Sequence, residues 1–231
     1  MENIDAVILC GGKGERLRGV IDDRPKVMAE INGRPFLDFI IKHLLSFGLK
    51  RFILCSGYKA EYIDSYYFNR KLPFELVFSC ENTPLGTGGA LKNSQKLIKS
   101  SNFIVLNGDS FCRVNLKKFY DFHIERHSSL SIVAAHTENS EDFGSLSIDN
   151  SSRITAFQEK MQNAKELVNA GIYIFKEEVL SLIPSGRAIS LEYDFFPQFI
   201  SKGIYGFVTK ELLIDIGTPQ RYERAKAFFA E

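Results

Sequence analysis

Ala6-Val7-Ile8-Leu9-Cys10-Gly11-Gly12-Lys13-Gly14-Glu15-Arg16-Leu17 decides how this chain is read. A short apolar run, predicted to be a strand over Ala6–Cys10, breaks into three glycines within four residues. Glycines there let the backbone approach a ligand closely and aim successive N–H groups at it. A dinucleotide fingerprint needs a third glycine where Leu17 stands. A P-loop needs Ser or Thr after its Gly-Lys pair, and Gly12-Lys13 is followed by Gly14. The loop instead comes with two cations, Arg16 and Lys26, the latter in Arg24-Pro25-Lys26-Val27-Met28. Polyphosphate needs such charges, supplied by the arginine fork and the lysine point charge. A plain glycine turn with solvated basic residues would read the same over these residues alone.

Outward from this loop, short apolar runs alternate with longer amphipathic ones. Strands are predicted over Phe52–Ser56, Phe74–Ser79 and Phe103–Leu106. Helices are predicted over Pro35–Phe47, Glu61–Phe68, Gly88–Ser100 and Leu116–Arg126, the first with Phe36, Phe39, Ile40, His43 and Phe47 on one side. This alternation predicts an α/β fold, a Rossmann-like, mixed but mostly parallel sheet flanked by helices. The pattern then changes. Leu130–Thr137, Ser145–Asp149, Ile154–Gln158 and Asn169–Phe175 read as strands with fewer helices between them, an antiparallel or mixed extension. Tyr205–Thr209 and Leu212–Ile216 read as further strands, and Pro219 starts a last helix through Phe229. Ligands of open α/β sheets bind at the carboxyl ends of the strands, so the loops after Cys10, Ser79 and Leu106 come first.

Composition narrows the function classes. Lys and Arg number 29 against 28 Asp and Glu, a formal net charge of +1, so no broad field holds nucleic acid or an anionic membrane. No apolar run approaches the roughly 20 residues of a membrane span. The N-terminus carries acids before its apolar stretch, the wrong order for a secretory signal. Cys10, Cys55, Cys80 and Cys112 form no Cys-x-x-Cys pair and read as reduced core thiols. The expected location is the cytoplasm. No linker, repeat or low-complexity tract interrupts the chain, so one continuous domain over 1–231 is expected.

The loop, Pro25-Lys26-Val27-Met28 and Gly33-Arg34-Pro35-Phe36 together resemble the signature of the nucleotide-sugar pyrophosphorylases, the sugar-1-phosphate nucleotidyltransferases. The resemblance continues in family order. It runs through Leu85-Gly86-Thr87-Gly88-Gly89-Ala90-Leu91, Asn107-Gly108-Asp109-Ser110, Glu159-Lys160, Asn169-Ala170-Gly171-Ile172-Tyr173 and Asp215-Ile216-Gly217-Thr218-Pro219. It implies an in-line displacement in which a sugar phosphate oxygen attacks the α-phosphorus of a nucleoside triphosphate and pyrophosphate leaves. Such chemistry needs alignment and charge neutralisation rather than a protein nucleophile. No Ser/His/Asp or Cys/His arrangement is recognisable in the sequence.

The resemblance also implies residue roles. A nucleotide-binding part spans about 1–110 and a sugar-binding part about 111–231. Leu9, Gly11, Gly12, Gly14, Gly86 and Thr87 match nucleotide contacts, as does Asp109. Arg16 matches the cation on the leaving pyrophosphate and Lys26 the one near the reacting phosphates. Asp109 and Asp215 match the two ligands of a Mg²⁺ ion, which takes one or two carboxylates plus phosphates and water. Either aspartate alone could equally be a cap or turn residue. Gly144, Glu159, Lys160, Asn169 and Glu192 match the sugar-phosphate side. Met161 stands where the family often has proline after the Glu-Lys pair. Asp194 reads equally as a surface residue or a sugar contact.

Glu81 lies where the family reads the base. A carboxylate only accepts hydrogen bonds, and guanine offers two adjacent donors, N1–H and N2–H₂, whereas uracil and thymine offer one donor between acceptors. GTP is therefore the favoured nucleotide, unless Glu81 is simply exposed on its loop. Within the family the chain is most similar to the branch acting on D-glycero-D-manno-heptose 1-phosphate, which would make a GDP-heptose for capsule or related surface polysaccharide. Mannose 1-phosphate, or uridylyl or thymidylyl transfer to a hexose phosphate, are rival readings. So is a sugar-nucleotide-binding regulatory protein without catalysis, although that would be expected to have lost Arg16, Lys26 or an aspartate. Tyr222, Phe228 and Phe229 could dock the last helix internally or build a homo-oligomer contact.

Overall fold

In the computed structural model, residues 1–17, 19–68, 70–137, 144–158 and 166–230 are described, with Gln158 and Glu166 described by backbone alone. The predicted Glu159 and Lys160 lie outside the described residues.

The strand before the glycine loop is β1, Asp5–Leu9. Its residues alternate between two cores: Ala6 and Ile8 face one side and Val7 the other, all at 0% exposure. A strand apolar on both faces belongs in the middle of a sheet covered on both sides. It pairs in parallel with β4 (Arg51–Ser56) on one side and β6 (Asn102–Asn107) on the other. Before β4 come a hairpin of β2 (Glu30–Ile31) and β3 (Arg34–Pro35), then helix α1 (Phe36–Ser46). Helix α2 (Ala60–Phe68) leads to β5 (Glu75–Cys80), and α3 (Gly86–Asn93) leads to β6. Crossover helices between parallel strands give the expected α/β core.

The second half extends the same sheet. After β7 (Ser110–Cys112) and α4 (Leu116–Glu125) come β8 (Leu130–Thr137), β9 (Ser145–Ile148), β10 (Ile154–Gln158) and β11 (Glu166–Lys176). Strand β11 runs antiparallel to β6, β8 and β9, which supplies the mixed extension. Helix α5 (Phe196–Phe199), β12 (Tyr205–Thr209), β13 (Leu213–Asp215) and α6 (Pro219–Phe228) complete the order. Among the described residues nine strands form the main sheet, in the path β10-β9-β11-β6-β1-β4-β5, with β8 joining β11 to β12. Strands β7 and β13 pair with each other outside it, antiparallel.

Local chemistry explains most element ends. Asn115 caps α4 by accepting from Lys118 N at 3.0 Å, and Thr218 caps α6 with Pro219 in its first turn. Gly48, at φ +81°, turns the chain out of α1. Three expectations need correction. The helix predicted over Gly88–Ser100 stops at Asn93, because the Asn93 side chain is drawn to Ser79 and Cys80 and the Ser94 hydroxyl donates to Leu91 O. A short 3-10 turn over Gln95–Leu97 follows. On α1 the fully buried side is Phe36, Leu37, Ile40, Ile41 and Leu44, since the sheet lies under that stripe; Phe39, His43 and Phe47 are only half-buried. Cys10, Cys55 and Cys112 are buried thiols, but Cys80 is exposed at the end of β5. The last helix docks internally: the Phe229 ring lies 4.2 Å from that of Phe39 and 5.1 Å from that of Phe111.

Candidate functional site

A cleft of about 450 Å³ opens at the carboxyl ends of β1, β5 and β6. That volume suits a nucleotide-sized ligand. Leu9, Gly11 and Gly12 line it from β1 and its loop, Glu81, Gly86 and Thr87 from the segment after β5, and Asn107 and Asp109 from the end of β6. The backbones meet closely here. A Cβ on Gly108 would sit 2.7 Å from Leu9 O, and one on Gly14, at φ +63°, would sit 3.0 Å from Lys26 Cβ. Glycine at these two positions lets the loop close onto β6 and onto Lys26.

The charged residues predicted far apart in sequence converge at one edge of this cleft. Lys26 Nζ, nearly buried, donates to Asp109 Oδ2 at 2.7 Å. The pairing of β13 with β7 sets Asp215 opposite Ser110, and Ile216 N donates to Asp109 O at 3.1 Å, so the two aspartates end neighbouring chain segments. A Cβ on Gly217 would lie 2.7 Å from Asp215 Oδ1, 3.4 Å from Arg16 Nη2 and 3.6 Å from Lys26 Nζ. Arg16, Lys26 and Asp215 thus surround one point, and Asp109 is bonded to Lys26. Sequence reading missed Arg221, whose Nη1 donates to Asp215 Oδ1 at 3.1 Å. Its place in the first turn of α6, six residues after Asp215, was the available signal.

Two carboxylates are the donor set that Mg²⁺ takes when phosphates and water supply its other ligands. Among the described residues no cluster of three or more His, Cys, Asp or Glu side chains could hold a metal alone. Asp109, which lines the cleft, and Asp215, beside Arg16 and Lys26, are hard oxygen donors that suit such a shared site. Burial pushes the Cys10 thiol well above its usual range, helped by Cys55 and Asp109, so the one sulfur at the base of the loop stays protonated.

Glu81 lines the same cleft as Lys26 and Asp109. It rests in space left by two missing side chains: a Cβ on Gly57 would lie 2.8 Å from its Cγ, and one on Gly11 2.6 Å from its Oε1. Its Oε2 accepts from Leu85 N at 3.2 Å. Burial raises its carboxyl above the ordinary range and the Leu85 bond only partly opposes this. Glu81 is therefore half-buried on the wall rather than loose on a loop.

On the sugar side, Gly144 is exposed and its carbonyl accepts from Asn169 N at 3.0 Å. Glu192 falls in a turn of π-helix over Leu191–Phe195 that the sequence did not suggest, and it accepts from Thr87 Oγ1 at 2.7 Å. The Thr87 hydroxyl is thereby committed to the segment around Glu192. Asp194 Oδ2 accepts from Ser190 N at 2.7 Å and helps shape that turn.

An open α/β sheet ending in a glycine loop, with cations and two aspartates at its edge, is the architecture of a nucleotidyl-transferring enzyme. The model of the nucleotidyl transferase family matches residues 5–231, and the chain belongs to that family. It is 36% identical, over 96% of its length and 97% of the relative's, to the D-glycero-alpha-D-manno-heptose 1-phosphate guanylyltransferase of Aneurinibacillus thermoaerophilus. It is 32% identical to the mannose-1-phosphate guanylyltransferase of Mycobacterium tuberculosis, covering 97% of this chain but 64% of that one. Among solved structures, HddC from Yersinia pseudotuberculosis, complexed with GMP-PN, matches with a TM-score of 0.87 at 39% identity, over 98% of this chain and 99% of that one. Among the described residues no helix is long and apolar enough to cross a membrane.

Proposed function

We propose that the protein is a guanylyltransferase that joins GTP to D-glycero-D-manno-heptose 1-phosphate, releasing pyrophosphate and forming a GDP-heptose. The observation that carries this is that Glu81, an acceptor, lines the same cleft as Lys26 and Asp109, with Arg16 and Asp215 gathered beside Lys26. One nucleotide in that cleft can present guanine to Glu81 and its phosphates to the cations. Relatives named for heptose 1-phosphate at 36% and 33% identity over nearly full length support the sugar. The complex of HddC with GMP-PN supports the guanine nucleotide. Relatives named for mannose 1-phosphate make that the second sugar to test, although the chain spans under two thirds of their length.

In this reading the Gly11–Gly14 loop receives the triphosphate on its N–H groups. A phosphate oxygen of the sugar 1-phosphate attacks the α-phosphorus, a new P–O bond forms, and the α–β P–O bond breaks. Arg16 takes up charge on the leaving pyrophosphate, and Lys26 neutralises the reacting phosphates. Asp109 and Asp215 would hold Mg²⁺, which supplies further charge neutralisation across the phosphates. Asn169 and Gly144, with Glu159 and Lys160, take the sugar phosphate, and Glu192 borders the same pocket. A single unit over 1–231 carries the nucleotide side in about 1–110 and the sugar side in the remainder.

The test is pyrophosphate release with Mg²⁺ from each of the four common nucleoside triphosphates, against heptose 1-phosphate and mannose 1-phosphate. Release with GTP and heptose phosphate, and little from other pairs, is the expected result. Turnover with UTP or with a hexose phosphate instead would overturn the specificity and keep the enzyme class. No release from any pair would return the reading to a non-catalytic binder.

A further inference from the structure

The Tyr173 hydroxyl, which none of the proposed roles uses, bridges two side chains assigned to the sugar side. The side chain is at 0% exposure, its ring 5.1 Å from that of Phe196 and 6.3 Å from that of Phe175. The hydroxyl donates to Glu192 Oε1 at 3.2 Å and accepts from Asn169 Nδ2 at 2.9 Å. The proton and one of the two lone pairs of the phenol are thereby used.

The direction of these bonds is forced. Glu192 Oε2 already accepts from Thr87 Oγ1 at 2.7 Å and from Ser190 Oγ at 3.0 Å. A carboxylate can only accept, so the Tyr173 proton must go to Glu192. The Asn169 amide must then turn its NH₂ group to the phenol oxygen. Asn169 answers this by accepting from Gly171 N with Oδ1 at 2.9 Å, which leaves one amide N–H for a ligand. The Tyr173 hydroxyl thus fixes which way the Asn169 amide faces, because a flipped amide would set an acceptor against the phenol oxygen and lose the Gly171 bond.

We infer that Tyr173 is a positioning residue for the sugar 1-phosphate, setting the orientation of the Asn169 amide and tying it through Glu192 to Thr87 on the nucleotide side. This rests on the assignment of Asn169 to the sugar pocket. The bridge joins β11, the π-helical turn and α3, so it ties the sugar side to the nucleotide side.

Tyr173→Phe keeps the ring and removes one oxygen. The KM for the sugar 1-phosphate should rise tenfold or more, the KM for GTP should stay within about twofold, and the thermal midpoint should move little. Glu192→Gln should give a similar sugar KM, and the double variant should be no worse than either single one, because both remove the same bridge. Normal sugar KM in Tyr173→Phe, beside an active parent, would overturn this inference alone. Equal changes in both KM values with a lowered melting temperature would overturn it in favour of a packing role. A parent inactive on every sugar 1-phosphate would overturn the assigned function and this inference with it.

Discussion

Glu81→Gln swaps one acceptor oxygen for an amide and leaves the shape of the side chain unchanged. Gly11 and Gly57 leave just enough room for Glu81, so the isosteric residue should occupy the same seat. Bound guanine would then lose one of its two acceptors, and N1–H or N2–H would face an NH₂ group. Leaving one buried donor unpaired costs about 1–3 kcal/mol, which lowers kcat/KM for GTP roughly 5- to 150-fold. Adenine presents an acceptor at N1, which an amide NH₂ can meet, so the GTP-to-ATP ratio should narrow by more than GTP alone declines. Protonation gives a second handle. Burial raises the folded carboxyl above its unfolded value, so its stability contribution is present below the ordinary glutamate range near 4.3 and is lost as pH rises through the folded value. Guanine needs the ionised form. The KM for GTP should therefore climb as pH falls through that raised value, and the climb should be missing in Glu81→Gln. Initial rates of pyrophosphate release with GTP and ATP across this range provide the assay. An unchanged GTP-to-ATP ratio in the variant would refute the assignment of Glu81 to the base.

Gly57→Ala should reproduce part of this effect without touching the nucleotide, because its methyl would press on Glu81 Cγ and Oε1; the check is the same nucleotide ratio together with an unchanged melting temperature. Asp109→Asn should lower kcat on the order of 100-fold and raise the Mg²⁺ concentration needed for half-maximal rate, since it takes the charge from the proposed metal ligand and from the partner of Lys26; a Mg²⁺ titration of activity with both proteins decides it. Phe229→Ala should cost about 2 kcal/mol, less than a fully buried phenylalanine, because the ring is half-buried against Phe36, Phe39 and Phe111. For a chain of this size that lowers the thermal midpoint by roughly 4–8 °C. An unmoved midpoint would show that α6 does not stabilise this fold.

Interactions close in sequence were legible without coordinates. The alternating apolar runs identified β1, β4, β5 and β6 as strands of a doubly covered sheet, because burial on both faces demands continuous apolar residues. The glycine loop and the Pro219 start of α6 were readable from local turn chemistry, whereas the two motif aspartates were singled out by family resemblance, since either alone reads equally as a cap or turn residue. The Asn32-Gly33 turn between β2 and β3, at φ +51° and +79°, was also legible as a hairpin signal, though the sequence reading passed over it. Tertiary structure alone decided what depends on register between distant segments. Asp109 and Asp215 meet because β7 pairs with β13, and nothing within either motif specifies that partner. The seat for Glu81 is made of space left by glycines on other segments, and absent atoms carry no sequence pattern. The bonds of the Tyr173 hydroxyl were not legible, because periodicity reports which side of the sheet a ring lies on but not which polar groups wait at its far end. Hydrogen-bond direction is settled only when donors and acceptors from β11, the π-helical turn and α3 are brought together.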